Sequence, residues 1–148
     1  MTNSTESSNH VLKVLRKIIR AVDVQSKQLV KEYGLTGPQI LILKELHTEK
    51  NVTVGEIAAN VDLSQPTVTN ILDRLENRGF ISRSRSNVDK RRVNIKIEEK
   101  GLRILDMNPS LLQEHFVRRF KELPDWEQSA ILSSLQRVAA MMDAADIE

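Results

Sequence analysis

No cysteine occurs anywhere in the 148 residues. Disulfides, thiolate metal sites, cysteine nucleophiles and thiol redox sensing are excluded together, and a reducing compartment is the expected setting. Aromatic residues make up only 3% of the chain. A core must therefore be built from leucine, isoleucine, valine, alanine and methionine, which suits packed helices. Apolar runs are short, as at Ile40 to Leu43 with four residues, and none approaches the ~20 that span a bilayer as a helix. Met1 to Asn9 is polar and lacks the apolar centre of a secretory signal. A soluble, cytoplasmic protein with no membrane partner is expected. No phosphate-cradling glycine loop, nucleophile elbow or paired motif carboxylates is present, so the chain is read as a non-enzyme with no cofactor. His10, His47 and His115 lie far apart with no His-x-x-His spacing, so no metal site is expected.

Net charge is equally uninformative at +2. Its distribution is not. Between Arg78 and Arg92 stand six basic residues (Arg78, Arg83, Arg85, Lys90, Arg91, Arg92) against one acid, Asp89. That local excess is a candidate electrostatic footprint for a polyanion.

Apolar residues set the periodicity. Val11, Val14, Leu15, Ile18, Ile19, Val22, Leu29 and Val30 recur at three- and four-residue steps, predicting a helix of roughly two dozen residues that stops at Gly34. Residues 1–8 are expected to fray. Thr36-Gly-Pro-Gln39 and Thr53-Val-Gly-Glu56 have the spacing of capping boxes. Ser64-Gln-Pro-Thr67 opens a further helix with Val68, Ile71, Leu72 and Leu75 on its apolar face, ended by Gly79. The period then switches to two. Phe80 to Arg85 and Val93 to Ile97 read as strands joined by a polar, basic tip. After Gly101 helical spacing returns, with Pro109 expected to kink or split the helix. Pro124 begins a last helix, in which Trp126 is expected to pack. Met141 and Met142 are read as core or interface filler.

The expected architecture is mainly α with a small β-hairpin. A winged helix-turn-helix, residues 35–100, is flanked by an N-terminal helix, 1–34, and C-terminal helices, 101–148. In a helix-turn-helix the second helix enters the major groove of double-stranded DNA. Here it offers Ser64, Gln65, Pro66, Thr67, Thr69, Asn70 and Arg74. Amides suit adenine edges, and a threonine methyl or proline ring can meet a thymine methyl. Ser64 and Pro66 alone are read equally well as ordinary helix-start residues. Asp89, Lys90, Arg91 and Arg92 at the hairpin tip form the second candidate element, because a guanidinium suits a narrow minor groove and an acid nearby can fix its geometry.

Residues 35–101 resemble the MarR (multiple-antibiotic-resistance regulator) family. The matching stretches are Leu35-Thr-Gly-Pro-Gln-Ile-Leu41, Val54-Gly-Glu-Ile-Ala58, Leu63-Ser-Gln-Pro-Thr-Val-Thr69, Leu72-Asp-Arg-Leu-Glu-Asn-Arg-Gly-Phe-Ile81, and Asp89-Lys-Arg-Arg followed by Glu99-Lys-Gly101. The resemblance implies a transcriptional regulator: a homodimer whose terminal helices interdigitate, binding a palindromic operator with Arg91 in the minor groove. It also implies release by a small organic effector, whose binding residues the sequence does not identify. Glu98 departs from the family, which usually has threonine there, and removes a hydroxyl cap. The residues independently favour a dimer, since the apolar stripes at both ends need a surface to cover them. The alternative is a winged-helix module that binds protein; a polar reading face argues against it.

Overall fold

The local capping signals explain most of the helix starts in the structure, a computed structural model that describes residues 3–85, 87–89 and 92–143. Among these residues the elements are α1 (Ser4–Tyr33), α2 (Gly37–Thr48), α3 (Val54–Val61), α4 (Gln65–Asn77), β1 (Ile81–Arg85), β2 (Val93–Ile97), α5 (Glu99–Asp106), α6 (Leu112–Lys121) and α7 (Asp125–Met141). At α2, the Thr36 N–H donates to Gln39 Oε1 at 2.9 Å and the Gln39 N–H returns to the Thr36 hydroxyl. At α3, Thr53 and Glu56 close the same reciprocal box at 2.9 and 3.1 Å. Both satisfy backbone donors that a helix start leaves orphaned. The mainly helical fold with one antiparallel hairpin is the class read from the sequence.

One boundary differs from expectation and three others follow it. Helix α1 has 30 residues rather than two dozen, because Asn3 caps it and accepts from the Thr5 N–H; the expected fraying of residues 1–8 therefore gives way to helix from Ser4. Its C-terminus is Gly34 at φ 71°, the left-handed cap that glycine adopts without a Cβ penalty. Pro109 splits the following helix, one of the two outcomes expected of it, leaving α5 and α6. Glu98 is the cap residue of α5 but makes no capping bond; its carboxylate accepts from the Ser82 hydroxyl at 2.7 Å, so the family's hydroxyl cap is exchanged for a tie to β1.

The core sits between α2, α3, α4 and the hairpin. Leu35, Ile40, Ile42, Leu43, Ile57, Val68, Leu72, Leu75 and Phe80 are essentially closed to solvent. Gln39 is buried among them, its amide used by the α2 cap. In the sheet, Ile81 pairs with Ile97 and Arg85 with Val93, while Asn94 and Lys96 face outward between half-buried Ile95 and Ile97. Helix α5 lies hard against this sheet. A Cβ on Gly101 would come within 2.7 Å of Ile97 Cγ2 and of the Phe80 carbonyl oxygen, so only glycine allows the approach.

The outer helices are placed by few contacts. Helix α1 buries only Leu29, and α6 and α7 bury none of their described residues. Gln25 on α1 holds the α5–α6 link, donating to the Ser110 carbonyl at 2.9 Å and accepting from the Leu112 N–H at 2.8 Å. Lys44 on α2 donates to the Pro109 carbonyl and pairs with Glu114, both at 2.7 Å. Trp126, expected to pack, is 72% exposed on this chain. No described helix is long and apolar enough to cross a membrane.

Candidate nucleic-acid interface

Helix α4 turns one face to the core and the other to solvent. Val68, Ile71, Leu72 and Leu75 are buried; Gln65, Pro66, Thr67, Thr69, Asn70 and Arg74 are exposed, and Ser64 is half-buried. The sequence-selected residues therefore share the accessible side of one helix. They divide by task. Ser64 accepts from the Thr67 N–H at 3.3 Å, and the two hydroxyls are 2.7 Å apart, so this pair builds the helix start. Pro66 stands at the second helical position, where its missing N–H costs nothing. Thr69, Asn70 and Arg74 lie further along, with side chains open to an incoming surface.

Gln65 is positioned by its neighbour helix. A Cβ on Gly55 of α3 would sit 3.2 Å from Gln65 Nε2, so the smallness of Gly55 makes room for that amide across the helix-turn-helix. Asp62, in the turn between the two helices, has φ 54° and caps α3 in the left-handed region, a conformation aspartate tolerates better than most residues.

A clamp that the sequence reading did not identify ties α4 to the hairpin. Arg83 on β1 reaches Asp73 Oδ1 at 2.5 Å with Nη2, and Glu76 Oε2 at 3.2 Å with Nε. Hydrogen bonding from Arg83 holds the Glu76 carboxyl below its ordinary range, and the same bond raises the Arg83 guanidinium. Two acids three residues apart on α4, followed by arginines at alternate positions of β1, are the signal that could have found it.

Of the tip residues, Lys90 and Arg91 lie outside the described residues. Asp89 is half-buried, and its carbonyl accepts from the Arg92 N–H at 3.0 Å. The Arg92 guanidinium turns back to the helix-turn-helix: Nη1 donates to the Asn51 carbonyl at 2.5 Å, and Nη2 lies 3.5 Å from Glu56 Oε1. Among the described residues no three His, Asp or Glu side chains are grouped to hold a metal ion. His115 instead meets the Ser110 hydroxyl at 2.5 Å and Arg118 at 3.0 Å.

A largely apolar cavity of about 720 Å³ opens where α1, α2, the α3–α4 turn and α6 meet, with Ile18, Val22, Leu41, Leu63, Leu111 and Phe116 among its lining. Its residues come from four separated stretches of chain, which is why sequence spacing did not reveal it.

Residues 35–93 match the model of the MarR family. The uncharacterized HTH-type transcriptional regulator YsmB of Bacillus subtilis is 26% identical over 126 residues, covering 85% of this chain and 86% of its own. The HTH-type transcriptional regulator MgrA of Staphylococcus aureus is 39% identical over 76 residues, which is 51% of this chain and 52% of that protein. The structure of the S. aureus MepR–DNA complex superposes with a TM-score of 0.62 at 23% identity, covering 87% of this chain and 96% of that one. This last likeness is one of fold.

Proposed function

We propose that the chain is a MarR-family protein, its residues 35–93 matching that family's model, and that it is a sequence-specific, double-stranded DNA-binding transcriptional regulator acting as a homodimer. The observation that carries the reading is the polar, exposed face of α4 (Pro66, Thr69, Asn70, Arg74) held over a closed core and clamped to the hairpin by Arg83. A helix presented this rigidly loses little freedom on docking, so its polar groups can discriminate between bases. The same face bears no apolar patch of the kind a protein-docking module exposes. Arg91, with Asp89 and Lys90 beside it, supplies the minor-groove contact.

The domains follow. Residues 1–34 and 101–148 dimerise, and 35–100 read DNA. Exposed Val14, Ile18, Ile19 and Val22 on α1, with Leu132, Leu135 and Met141 on α7 and Met142 at its C-cap, are the surface a second copy covers. Two-fold symmetry then places two α4 helices on a palindromic operator about one DNA turn apart, roughly 34–36 Å. The protein acts as a repressor, and a small organic molecule in the cavity beside Leu41 and Phe116 releases it. That cavity joins a dimerising helix to the reading head, so an occupant favouring the wrong spacing of the heads weakens operator binding by its differential affinity for that state. The test is a gel shift on DNA flanking the gene, with salicylate-like acids, zinc and peroxide added separately. Sequence-selective retardation relieved by an acid supports the reading. Absence of retardation defeats it, and relief by zinc or peroxide alone defeats the effector part.

A further inference from the structure

Arg92 belongs to the basic cluster yet spends its guanidinium on the protein. The last ladder pair of the hairpin is Arg85 with Val93, so Arg92 is the first residue past the sheet, where the direction of the tip is set. Its backbone N–H closes the tip turn onto the Asp89 carbonyl, while its side chain runs the opposite way to the α2–α3 loop and to α3. Both acceptors are fixed before Arg92 arrives. Asn51 sits at φ 59°, a left-handed turn in that loop, and its carbonyl accepts from Nη1. Glu56 is held through its other oxygen, Oε2, by the Thr53 N–H at 2.9 Å in the α3 cap, leaving Oε1 for Arg92. One side chain thus links the hairpin tip, the loop and the first helix of the helix-turn-helix around a polar cleft of about 490 Å³ that Gln65 also lines.

We propose that Arg92 is a positioning residue: through Glu56 and the Asn51 carbonyl it struts the wing against α3, so that the tip meets DNA at a set angle to α4. The inference rests on the DNA-binding reading above but assigns Arg92 a role other than a phosphate or base contact. Without the strut the tip must be ordered at the moment of binding, and that ordering weakens affinity.

The two roles predict opposite signs for one substitution. Glu56→Gln preserves the α3 cap, because glutamine serves at that position of a capping box, but removes the charge that holds Arg92. If Arg92 touched phosphate, loss of an acid beside the reading helix would leave DNA binding unchanged or tighten it. If Arg92 is a strut, Glu56→Gln weakens binding about as much as Arg92→Ala does, roughly 3- to 10-fold, with the double variant no worse than either alone. The salt dependence separates them again: losing a phosphate contact lowers the slope by about one, whereas losing a strut leaves it as in the wild type.

The decisive experiment combines those titrations with amide hydrogen exchange on the DNA-free full-length protein. Faster exchange at Asn87, Val88 and Arg92 in both variants, with an unchanged melting temperature, is the expected result. Unaltered exchange, tighter binding by Glu56→Gln, or a unit fall in the salt slope for Arg92→Ala would overturn the strut. The exchange measurement needs no DNA, so a wild-type protein that retards no fragment defeats the DNA-binding reading while the strut is still decided.

Discussion

The middle of the chain and its two ends are written in the same alphabet of leucine, isoleucine and valine, with the same helical spacing, and they meet different fates. From Leu35 to Leu75 nearly every apolar position of the pattern is closed to solvent. On α1 only Leu29 is buried, Ile19 stays 67% exposed, and on α7 Leu132 is 56% exposed. Amphipathic periodicity says that a face is to be covered; it does not say by what. The middle segment covers itself because four short elements converge on one another. The 30-residue α1 buries only Leu29 on its own chain and leaves its outer stripe exposed, the stripe assigned above to a second copy.

That contrast breaks most decisively at the core. Leu72→Ala, at a site with no exposed surface, is expected to cost about 2–5 kcal/mol in denaturant unfolding, since the surrounding helices cannot collapse around the lost volume. A cost below ~1 kcal/mol would show that the middle is not the stabilising unit. Ile19→Glu tests the ends. It should preserve the helical circular dichroism of the middle segment while lowering the mass seen by light scattering from a dimer to the 16.9 kDa of one chain. A mass that stays at twice that value would remove α1 from the interface, and global unfolding would deny the middle its independence.

Within the proposed reading surface the comparison becomes finer. Asn70→Ala should weaken operator binding by about 1–3 kcal/mol and relax the preference at a single base pair, with little loss of stability, because Asn70 is exposed on α4. Ser64→Ala should do the reverse, costing roughly 0.5–2 kcal/mol of folding stability through the lost cap. At the tip, Arg91→Ala is expected to weaken binding more than Lys90→Ala. Equal small losses in a gel shift would reduce the wing to diffuse charge.

Much of this architecture was legible because it is local. The Thr36 and Thr53 capping boxes, the glycine stop at Gly34 and the alternation of Ile95 and Ile97 each depend on residues within four positions of one another. The outward face of α4 followed from the same periodicity, although not the division of labour in which Ser64 and Thr67 cap while Thr69 and Asn70 project. What escaped was non-local. Arg92 meets Asn51 across 41 positions, Gln25 meets Ser110 across 85, and the cavity draws on four stretches. A run of basic residues also conceals that its members differ: Arg83 and Arg92 are engaged with carboxylates of the protein itself.

The smallest effect expected separates the ion pairs of the two regions. On α1, Lys27 and Asp23 pair at 3.0 Å with both side chains more than half exposed. Such an i,i+4 pair gains little in water, and Asp23→Asn should change stability by no more than about 0.5 kcal/mol. Arg83 is only 23% exposed and is shared by Asp73 and Glu76, so its carboxylates feel it through less solvent. Hydrogen bonding from Arg83 depresses the folded-state pKa of Glu76. A depressed carboxylate contributes stability that is fully present above its unfolded value, about 4.3 for glutamate, and is lost as pH falls through the lower folded value. Glu76 should therefore titrate below the ordinary glutamate range in carboxyl-carbon NMR, and Arg83→Gln should return it there. The stability difference between wild type and Arg83→Gln should persist at neutral pH and shrink as the solution is acidified through that window. A Glu76 midpoint that Arg83→Gln leaves unmoved would reduce the clamp on α4 to a surface pair of the α1 kind.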